Sequence, residues 1–174
     1  PKELAFETFD DAIRLENISF DYRNGKRVLS DVNIEIPRGS VVSIVGPSGV
    51  GKSTIIDLIA GMLQPKSGSV LLDDVDLNSL NSSSWRKNIA YVTQEPFLFN
   101  NTISNNIAWG FEEYDQGDVV EAALLAGADE FIHHLRDGYE TEVGDRGARI
   151  SGGQRQRICL ARAFFRSPKL LILD

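Results

Sequence analysis

Residues 46–54 read Gly-Pro-Ser-Gly-Val-Gly-Lys-Ser-Thr and directly follow the apolar run 41–45, Val-Val-Ser-Ile-Val. The pattern G-x-x-x-x-G-K-[ST] between a buried strand and a helix is typical of a phosphate-binding loop. Its glycines let the backbone turn tightly, so that N–H groups point at phosphate oxygens, and the following helix adds its positive N-terminal end. The alternative is a glycine-rich turn without a ligand. Because all fixed positions and both flanks match, we predict binding of a nucleoside triphosphate.

The motif also assigns roles within the loop. Lys52 can reach the terminal phosphates as a charge-assisted donor, and the Ser53 hydroxyl can ligate Mg²⁺. The other loop residues expected to contact the nucleotide are Gly46, Ser48, Gly49, Val50, Gly51 and Thr54. ATP and Mg²⁺ are therefore the expected cofactors.

Composition bounds the class of protein. With 174 residues, 42% hydrophobic and 25% charged, the chain is predicted to form one globular domain of ordinary size. Its net charge of −7 argues against a nucleic-acid partner, which would favour a basic face. Cys159 is the single cysteine, so no internal disulfide is possible, and we expect a small buried thiol. No apolar stretch approaches the roughly 18 residues of a membrane span.

Hydrophobic patterns predict a β-rich first part. Residues 1–11 carry no periodicity and are interpreted as a linker or arm. A strand region runs over 13–22, and Arg-Asn-Gly-Lys at 23–26 predicts a hairpin turn before a second strand over 28–36. Pro-Arg-Gly at 37–39 should end that strand.

The middle of the chain is expected to alternate strands and helices. A strand at 41–45 leads into the phosphate loop and then into a helix of about 11 residues that ends near Met62. A short strand at 70–72, a short polar helix from Asn78 to Lys87 and a strand at 89–93 follow.

The last part is predicted to be helical. Residues 101–166 show a helical pattern without a convincing strand, and their last helix covers 151–166. A fully apolar strand at 170–173 returns to the core. The fold class is therefore α/β, with a helical insertion at about 95–166.

The stretch Ile150-Ser151-Gly152-Gly153-Gln154 is the second informative motif. Ser151 and Gln154 form a capping box, so the simpler interpretation is a helix start. That interpretation leaves the two glycines unexplained, since each costs on the order of 1 kcal/mol in a helix interior. Glycines there expose bare backbone N–H groups at the positive helix end, so we favour contact with an anion.

Asp174 closes the terminal apolar strand. Ligands of open α/β sheets gather at the carboxyl ends of parallel strands. An apolar run that ends in aspartate is a weak signal alone, but beside a phosphate loop it predicts a carboxylate that helps to hold Mg²⁺.

Taken together, these motifs resemble the ATP-binding cassette, the nucleotide-binding domain of ABC transporters, over residues 12–174. The resemblance implies a phosphate-loop NTPase (RecA-like) core, an N-terminal antiparallel β subdomain and a helical subdomain. It implies that Tyr22 stacks on adenine, that Val28 lines the base, and that Gln94 and Asp174 join Ser53 at Mg²⁺. Lys52, Gln94 and Asp174 are the residues implied in catalysis. The family's Leu-Ser-Gly-Gly-Gln signature stands here with isoleucine first.

Two stretches resemble exporter-type cassettes. They are Phe-Leu-Phe-Asn-Asn-Thr-Ile at 97–103 and Thr-Glu-Val-Gly-Asp-Arg-Gly at 141–147, the second of which lies near the membrane coupling helices in that family. Asp145 stands where the common form has glutamate.

The resemblance implies a mechanism and partners. Two cassettes would pair head to tail, so that Ser151, Gly152, Gly153 and Gln154 of one face the γ-phosphate held by the other. ATP binding would close this dimer and hydrolysis would reopen it, driving attached transmembrane domains from the cytoplasmic face of a membrane. The transported substrate is not encoded in this segment.

We expect the protein to continue beyond both ends of the sequence. The family's general base, a glutamate directly after the aspartate matched by Asp174, and its later histidine lie outside it. His133 and His134 are expected at the surface and do not substitute. This segment is therefore expected to bind Mg-ATP with little hydrolysis. In the family's sheet, a further strand separates the strand before Asp174 from that at 41–45, so we also expect unpaired backbone there, which either the continuing protein or a partner would fill.

Two other classes of protein fit the sequence less well. A soluble cassette in DNA repair or translation fits poorly with the stretch at 141–147 and the acidic charge. A small-molecule kinase would not explain Tyr22 or the motif at 151–154. An ATP-binding module or fragment without turnover remains an alternative.

Overall fold

The computed structural model describes residues 4–22, 25 and 27–174. The chain forms two compact units, Pro1–Lys87 and Asn88–Asp174. The predicted hairpin turn at 23–26 lies mostly outside the described residues, apart from Gly25, whose N–H donates to the Tyr22 carbonyl at 2.8 Å.

The first unit is built on an antiparallel sheet. Its strands are β1 (Ala12–Asp21), β2 (Arg27–Pro37), β3 (Ser67–Leu72) and β4 (Val75–Asp76). They lie in the order β2-β1-β3-β4. The strands predicted at 13–22, 28–36 and 70–72 are thereby confirmed.

An irregularity in β1 sets which side chains face the core. The register shifts between Leu15 and Ile18, and both side chains are buried although they are three residues apart. Asn17 adopts a positive φ of 52° at this point. In a regular strand, residues three apart would face opposite sides of the sheet. The extra residue of a bulge lets the side chains of Leu15 and Ile18 both face the core.

Helices α1 (Lys52–Ile59) and α2 (Ser82–Arg86) complete this unit. The helix after the phosphate loop has 8 residues, shorter than the expected 11. The predicted helix from Asn78 to Lys87 is wrong as one element: a 3₁₀ turn at Leu77–Ser79 precedes α2. Asn81 separates the two, because its extended backbone and side chain cap α2 through the N–H groups of Ser83 and Ser84.

Trp85 organises the packing around α2. It is fully buried, and its Nε1 donates to the Ile59 carbonyl at 2.9 Å. Phe6 and Phe9 meet its ring edge-on at 4.9 and 6.2 Å between centroids. The described part of the segment interpreted as an arm therefore packs on Trp85, and Leu4 bridges to Leu80.

The strand predicted at 41–45 is wrong for this structure. These residues carry no regular structure, and Val41 and Val45 are 98% and 87% exposed. A strand is held by hydrogen bonds to a neighbouring strand. Within the described parts of the chain, no segment forms a ladder with 41–45.

The second unit combines a parallel strand pair with helices. Strands β5 (Ile89–Val92) and β6 (Leu170–Leu173) pair in parallel, so that Val92 lies opposite Leu173. The helices are α3 (Ile103–Ile107), α4 (Gln116–Leu125), α5 (Asp129–His133) and α6 (Gly152–Phe165). Short 3₁₀ turns cover Gly138–Glu140 and Asp145–Gly147. The strands expected at 89–93 and 170–173 and the largely helical 101–166 are confirmed.

The core of the second unit lies between α6 and the helices around it. The buried residues of this core have small or branched apolar side chains. They include Leu98, Ile103, Ile107, Val119, Ile132, Val143 and Ile158. Across the described residues, no helix combines the length and apolar character that a membrane span requires.

Asp73 fastens the start of β1 to the turn between β3 and β4. Its carboxylate accepts the backbone N–H groups of Asp10, Asp11 and Ala12 at 2.8, 2.9 and 3.1 Å. Partial burial raises the pKa of this carboxyl, but the three N–H donors and nearby Arg14 outweigh it, so the pKa of Asp73 lies below its usual value. Asp73 therefore stabilises the fold while it is ionised.

We predict that Asp73→Asn destabilises the protein in a pH-dependent way. A neutral amide accepts these bonds less well, so the melting temperature at pH 7 should fall by about 2–6 °C. The folded pKa lies below the unfolded one, so the wild-type advantage is complete above the unfolded pKa, near 4, and shrinks as pH falls through the folded value. Thermal melts of both proteins, recorded at intervals of about one pH unit from pH 2 to pH 7, would measure how their difference in stability depends on pH.

Asp74→Asn is the matched control, because Asp74 lies in the same turn, is exposed and accepts none of these three bonds. An equal loss in both variants, or a loss that does not change with pH, would contradict the role given to Asp73.

Candidate functional site

Glycine backbone shapes the predicted phosphate loop. Gly51 has a φ of 108°, and a Cβ there would lie 2.8 Å from Leu29 Cδ2 and 2.9 Å from Val28 Cγ1. Gly49 has a φ of 77° but faces open space. Only glycine satisfies both the left-handed backbone and the close packing at Gly51. A side chain at Gly51 would therefore require the loop or the Val28 and Leu29 side chains of β2 to shift.

Lys52 reaches back over the loop. Its Nζ donates to the carbonyls of Gly46 and Pro47, both at 2.9 Å. Both acceptors are neutral backbone groups, and an anionic oxygen would be the stronger partner for an ammonium. The loop residues 46–50 are exposed, so an anion has direct access to this ammonium.

The start of α1 offers backbone donors beside Lys52. Gly51 is the N-cap, and no side chain among the described residues caps the helix. The first N–H groups of a helix have no intrahelical acceptor, so they are available to an anion. Ser53 is exposed at this end, whereas Thr54 is 3% exposed. These donors, the ammonium and an accessible hydroxyl fit a triphosphate with Mg²⁺.

Tyr22 and Val28 flank the loop in the same unit. The Tyr22 hydroxyl lies 3.0 Å from Thr54 Oγ1, and its ring meets Phe20 edge-on at 5.0 Å between centroids. The side chain of Tyr22 remains 41% exposed. Val28 packs against Gly51. The structure thus brings both predicted base-contacting residues to the phosphate loop.

Gln94 and Asp174 lie at one edge of the second unit. Gln94 follows β5 and Asp174 follows β6, and the Asp174 N–H donates to the Val92 carbonyl at 3.0 Å. Tyr91 donates its hydroxyl to the Asp174 carboxylate at 3.2 Å. The side chains of Gln94 and Asp174 are both exposed at the carboxyl ends of neighbouring parallel strands, which is where ligands of α/β sheets gather.

Their chemistry fits a hard cation that is shared with a phosphate. Amide and carboxylate oxygens are the donors that Mg²⁺ accepts, and Mg²⁺ commonly takes one or two protein ligands plus phosphate and water. In the part of the chain that the structure describes, no group of three or more His, Cys, Asp or Glu residues could hold a metal by itself.

The motif at 151–154 forms the start of α6. Ser151 Oγ accepts the Gln154 N–H at 3.2 Å, and Gln154 Oε1 accepts the Ser151 N–H at 2.9 Å, so the predicted capping box is present. Gly152 and Gly153 are exposed, and a Cβ at Gly153 would meet no atom within 4 Å. Packing among the described residues therefore does not require the two glycines.

Sequence reasoning did not single out Arg155, which supports this helix start. Its Nη1 donates to the carbonyls of Gly147 and Ile150 at 3.2 and 2.9 Å. Arg157 instead lies over the Phe131 ring at 4.8 Å. Nothing in the run Gln-Arg-Gln-Arg distinguishes the two arginines, because their acceptors are set by tertiary structure.

A polar network behind Phe97 was also missed. Arg162 of α6 donates to the Phe97 carbonyl at 3.0 Å and to Asn106 O and Oδ1 at 2.7 and 2.9 Å. Asn106 is fully buried, and its Nδ2 donates hydrogen bonds to the carbonyls of Phe99 and Thr102. Burial lowers the pKa of Arg162. The network fixes the backbone at 97–102 to α6.

The two stretches singled out as exporter-like lie side by side. The Ile103 N–H donates to the Thr141 carbonyl and the Val143 N–H to the Asn101 carbonyl, both at 3.1 Å. An isolated antiparallel bridge joins Thr102 to Glu142. Phe97 and Trp109 are exposed, and both rings contact Phe99 of the first stretch, at 5.0 and 3.4 Å between centroids. Two segments about 40 residues apart in sequence therefore form one surface.

The remaining candidates behave as expected. Cys159 is buried, which raises the pKa of its thiol. His133 and His134 are exposed on and just after α5, where His133 pairs with Asp129 at 3.2 Å.

Comparison with known proteins adds a family match. A family model described as ABC transporter matches residues 29–174. The ATP-dependent lipid A-core flippase of Chromohalobacter salexigens is 45% identical over 95% of this chain and 29% of the flippase. A putative multidrug export ATP-binding/permease protein of Bacillus subtilis is 41% identical over 100% of this chain and 30% of its own length.

A solved structure matches the fold. A bacterial Atm1-family ABC exporter with ATP bound superimposes with a TM-score of 0.91 and 37% identity, covering 100% of this chain and 30% of that chain. The match confirms the predicted α/β phosphate-loop fold with its antiparallel subdomain. The chain spans less than a third of the length of these relatives.

We predict that Gly51→Ala damages both stability and nucleotide binding. The added methyl group would lie too close to Leu29 and Val28 at a strained φ, so the loop or these side chains must shift. Mg-ATP affinity should fall by about tenfold or more, measured by isothermal titration, with a parallel loss in melting temperature.

Gly49→Ala is the matched comparison, because it carries the same kind of backbone strain without the steric clash. Its losses should be clearly smaller. Equal effects of the two substitutions would show that packing against β2 is not what holds the loop.

Proposed function

Because the chain belongs to the ABC transporter family, we propose that it is the ATP-binding motor domain of an exporter. In this proposal ATP binding and hydrolysis by the whole protein drive transport of a substrate across a membrane. The domain would lie at the cytoplasmic face, paired with a second nucleotide-binding domain and attached to transmembrane domains.

The observation that carries this proposal is the exposed backbone of Gly152 and Gly153 at the start of α6. Its capping box uses the N–H groups of Ser151 and Gln154, whereas Gly152 and Gly153 lie exposed with room beside them. Two glycines at the tip of a helix weaken the helix unless their bare backbone meets a ligand. A γ-phosphate held by a partner domain is a ligand of the required charge and size.

The chain's own residues divide the work. Lys52 would exchange the carbonyls of Gly46 and Pro47 for phosphate oxygens, neutralising their charge. Ser53, Gln94 and Asp174 would hold Mg²⁺, which supplies charge neutralisation at the β- and γ-phosphates. Tyr22 and Val28 would bind the adenine, and Ser151 to Gln154 would act in trans.

The paired stretches at 97–103 and 141–147 favour an exporter over a soluble cassette. A surface with exposed Phe97 and Trp109 is suited to a partner, and it begins three residues after Gln94. Movement of Gln94 on binding Mg-ATP would thus be passed to the paired stretches at 97–103 and 141–147 by a short segment. A soluble ATPase of the family would not need this surface.

Lys52→Ala should weaken Mg-ATP binding by about 10–100-fold, since a charge-assisted contact to phosphate is lost. Isothermal titration of the chain would measure it. Lys87→Ala removes an equal charge from an exposed position in the same unit and should leave the affinity unchanged. If Lys52→Ala bound Mg-ATP as tightly as the wild type, the proposed nucleotide site would be wrong.

Gly153→Asp tests the role in trans. A Cβ at Gly153 would meet no atom of the described residues within 4 Å, and a carboxylate at a helix N-terminus is favourable, so the melting temperature should hold or rise. The same carboxylate would repel the γ-phosphate of a partner. We expect ATP-dependent pairing, followed by analytical ultracentrifugation, to weaken by about tenfold or more.

Gly153→Ala serves as the control, because it adds a methyl group without charge and should retain more pairing than the aspartate. Mg-ATP binding to the chain's own phosphate loop should be preserved in both variants. Undiminished pairing of the aspartate variant would exclude a role for the helix tip in trans.

A further inference from the structure

The last carbonyl of α1 depends on a side chain from outside the helix. The carbonyls at 56–58 accept backbone N–H groups of the turn at 60–63. The Ile59 carbonyl instead accepts the Trp85 Nε1–H at 2.9 Å, and both residues are buried. A buried carbonyl at a helix end has to find a donor in its surroundings. Trp85 therefore completes the end of the helix that begins at Lys52.

The arm, described over residues 4–11, in turn covers Trp85. The rings of Phe6 and Phe9 meet the indole edge-on, at 4.9 and 6.2 Å between centroids. The Phe6 N–H also donates to Ser84 Oγ at 2.8 Å, next to Trp85 in α2. Without these two rings, water would reach the indole N–H and compete with the Ile59 carbonyl for it.

The arm has the features of a segment that can detach from the unit. Over residues 4–11 it forms no helix or strand apart from the single bridge of Leu4 to Leu80. Leu4, Glu7 and Thr8 are exposed. A segment with few buried contacts opens at a lower free-energy cost than the core does. The arm therefore has two states, one docked by its rings on Trp85 and one released.

Helix α1 connects the end held by Trp85 to the phosphate loop. It has 8 residues, a length of about 12 Å, with Lys52 first and Ile59 last. The Lys52 ammonium lies over the carbonyls of Gly46 and Pro47, where phosphate is expected. Because a helix of two turns moves as one body, a loose end at Ile59 disturbs the donors at Lys52. Donors that are aligned beforehand bind more tightly, since less order is lost on binding.

We propose that the arm is a strap, which docks on Trp85 and holds α1 in position for a nucleoside triphosphate. This inference rests on the proposed function and adds a control of the same site by the chain ahead of β1. The docked arm favours Mg-ATP, and bound Mg-ATP must favour the docked arm by the same factor. A pull that releases the arm would therefore weaken nucleotide binding.

Titration of arm variants with Mg-ATP tests one direction of this coupling. Phe6→Ala and the double variant with Phe9→Ala should both bind Mg-ATP more weakly in the full chain, the double variant by about fivefold or more. The titrations are run well below the melting transitions, so that unfolding does not contribute. Affinity for inorganic tripolyphosphate with Mg²⁺ should fall in parallel, because α1 acts on the phosphates. Glu7→Ala, exposed between the two rings, is the matched control and should keep the wild-type affinity.

The reverse direction is measured at Trp85 and in the arm itself. The chain has two tryptophans, so Trp109→Phe leaves Trp85 as the only fluorophore of its kind. In that background Phe6→Ala should shift the Trp85 emission to longer wavelength, and Mg-ATP should partly reverse the shift. In the wild type, Mg-ATP should slow hydrogen exchange of the Phe6 N–H.

Each contrary result overturns a stated claim. Wild-type Mg-ATP affinity in the double variant, even with a lower melting temperature, means that the rings only stabilise the fold, and the strap is wrong while the proposed function stands. A loss for Mg-ATP without a loss for tripolyphosphate, or exchange at Phe6 that ignores Mg-ATP, also overturns the strap. Failure of the wild-type chain to bind Mg-ATP overturns both proposals. Phe6 is only partly buried, so Phe6→Ala decides the question where the double variant does not fold.

Discussion

The close packing of Gly51 against Val28 and Leu29 is the constraint on which the nucleotide-facing part of the first unit depends. It brings the phosphate loop so close to β2 that a Cβ would displace the Val28 and Leu29 side chains or the loop, at the residue that caps α1. From that start, Lys52 projects over the loop and Thr54 reaches Tyr22. A loop that binds by its backbone must be fixed by its surroundings, because backbone donors have no rotamers with which to adapt.

The second unit depends in the same way on Arg162 and Asn106. A half-buried guanidinium is satisfied here by the carbonyls of Phe97 and Asn106 and by the Asn106 amide oxygen. Removing one partner of such a network leaves a polar group without a bond, which costs more than the bond itself contributes. The segment after Gln94 is thus tied to the helix that begins at Gly152, so the paired stretches at 97–103 and 141–147 and the helix tip share one scaffold.

The sequence alone predicts the features that depend on residues close together in the chain. The phosphate loop and the capping box follow from residue spacing, and β1 and β2 follow from alternation of apolar residues. The bonds of Asp73, Arg162 and Thr54 join residues far apart in the chain, and spacing carries no signal for them. The run at 41–45 shows the limit most clearly, because its side chains favour a strand but a strand also requires a partner.

That run has a further consequence. Val41 and Val45 display apolar side chains on a backbone whose N–H and C=O groups form no ladder within the described chain. A strand with an unpaired edge could pair with it, forming main-chain hydrogen bonds and burying apolar side chains together. The stretch just ahead of the phosphate loop therefore offers both an unpaired backbone and apolar side chains to an added strand.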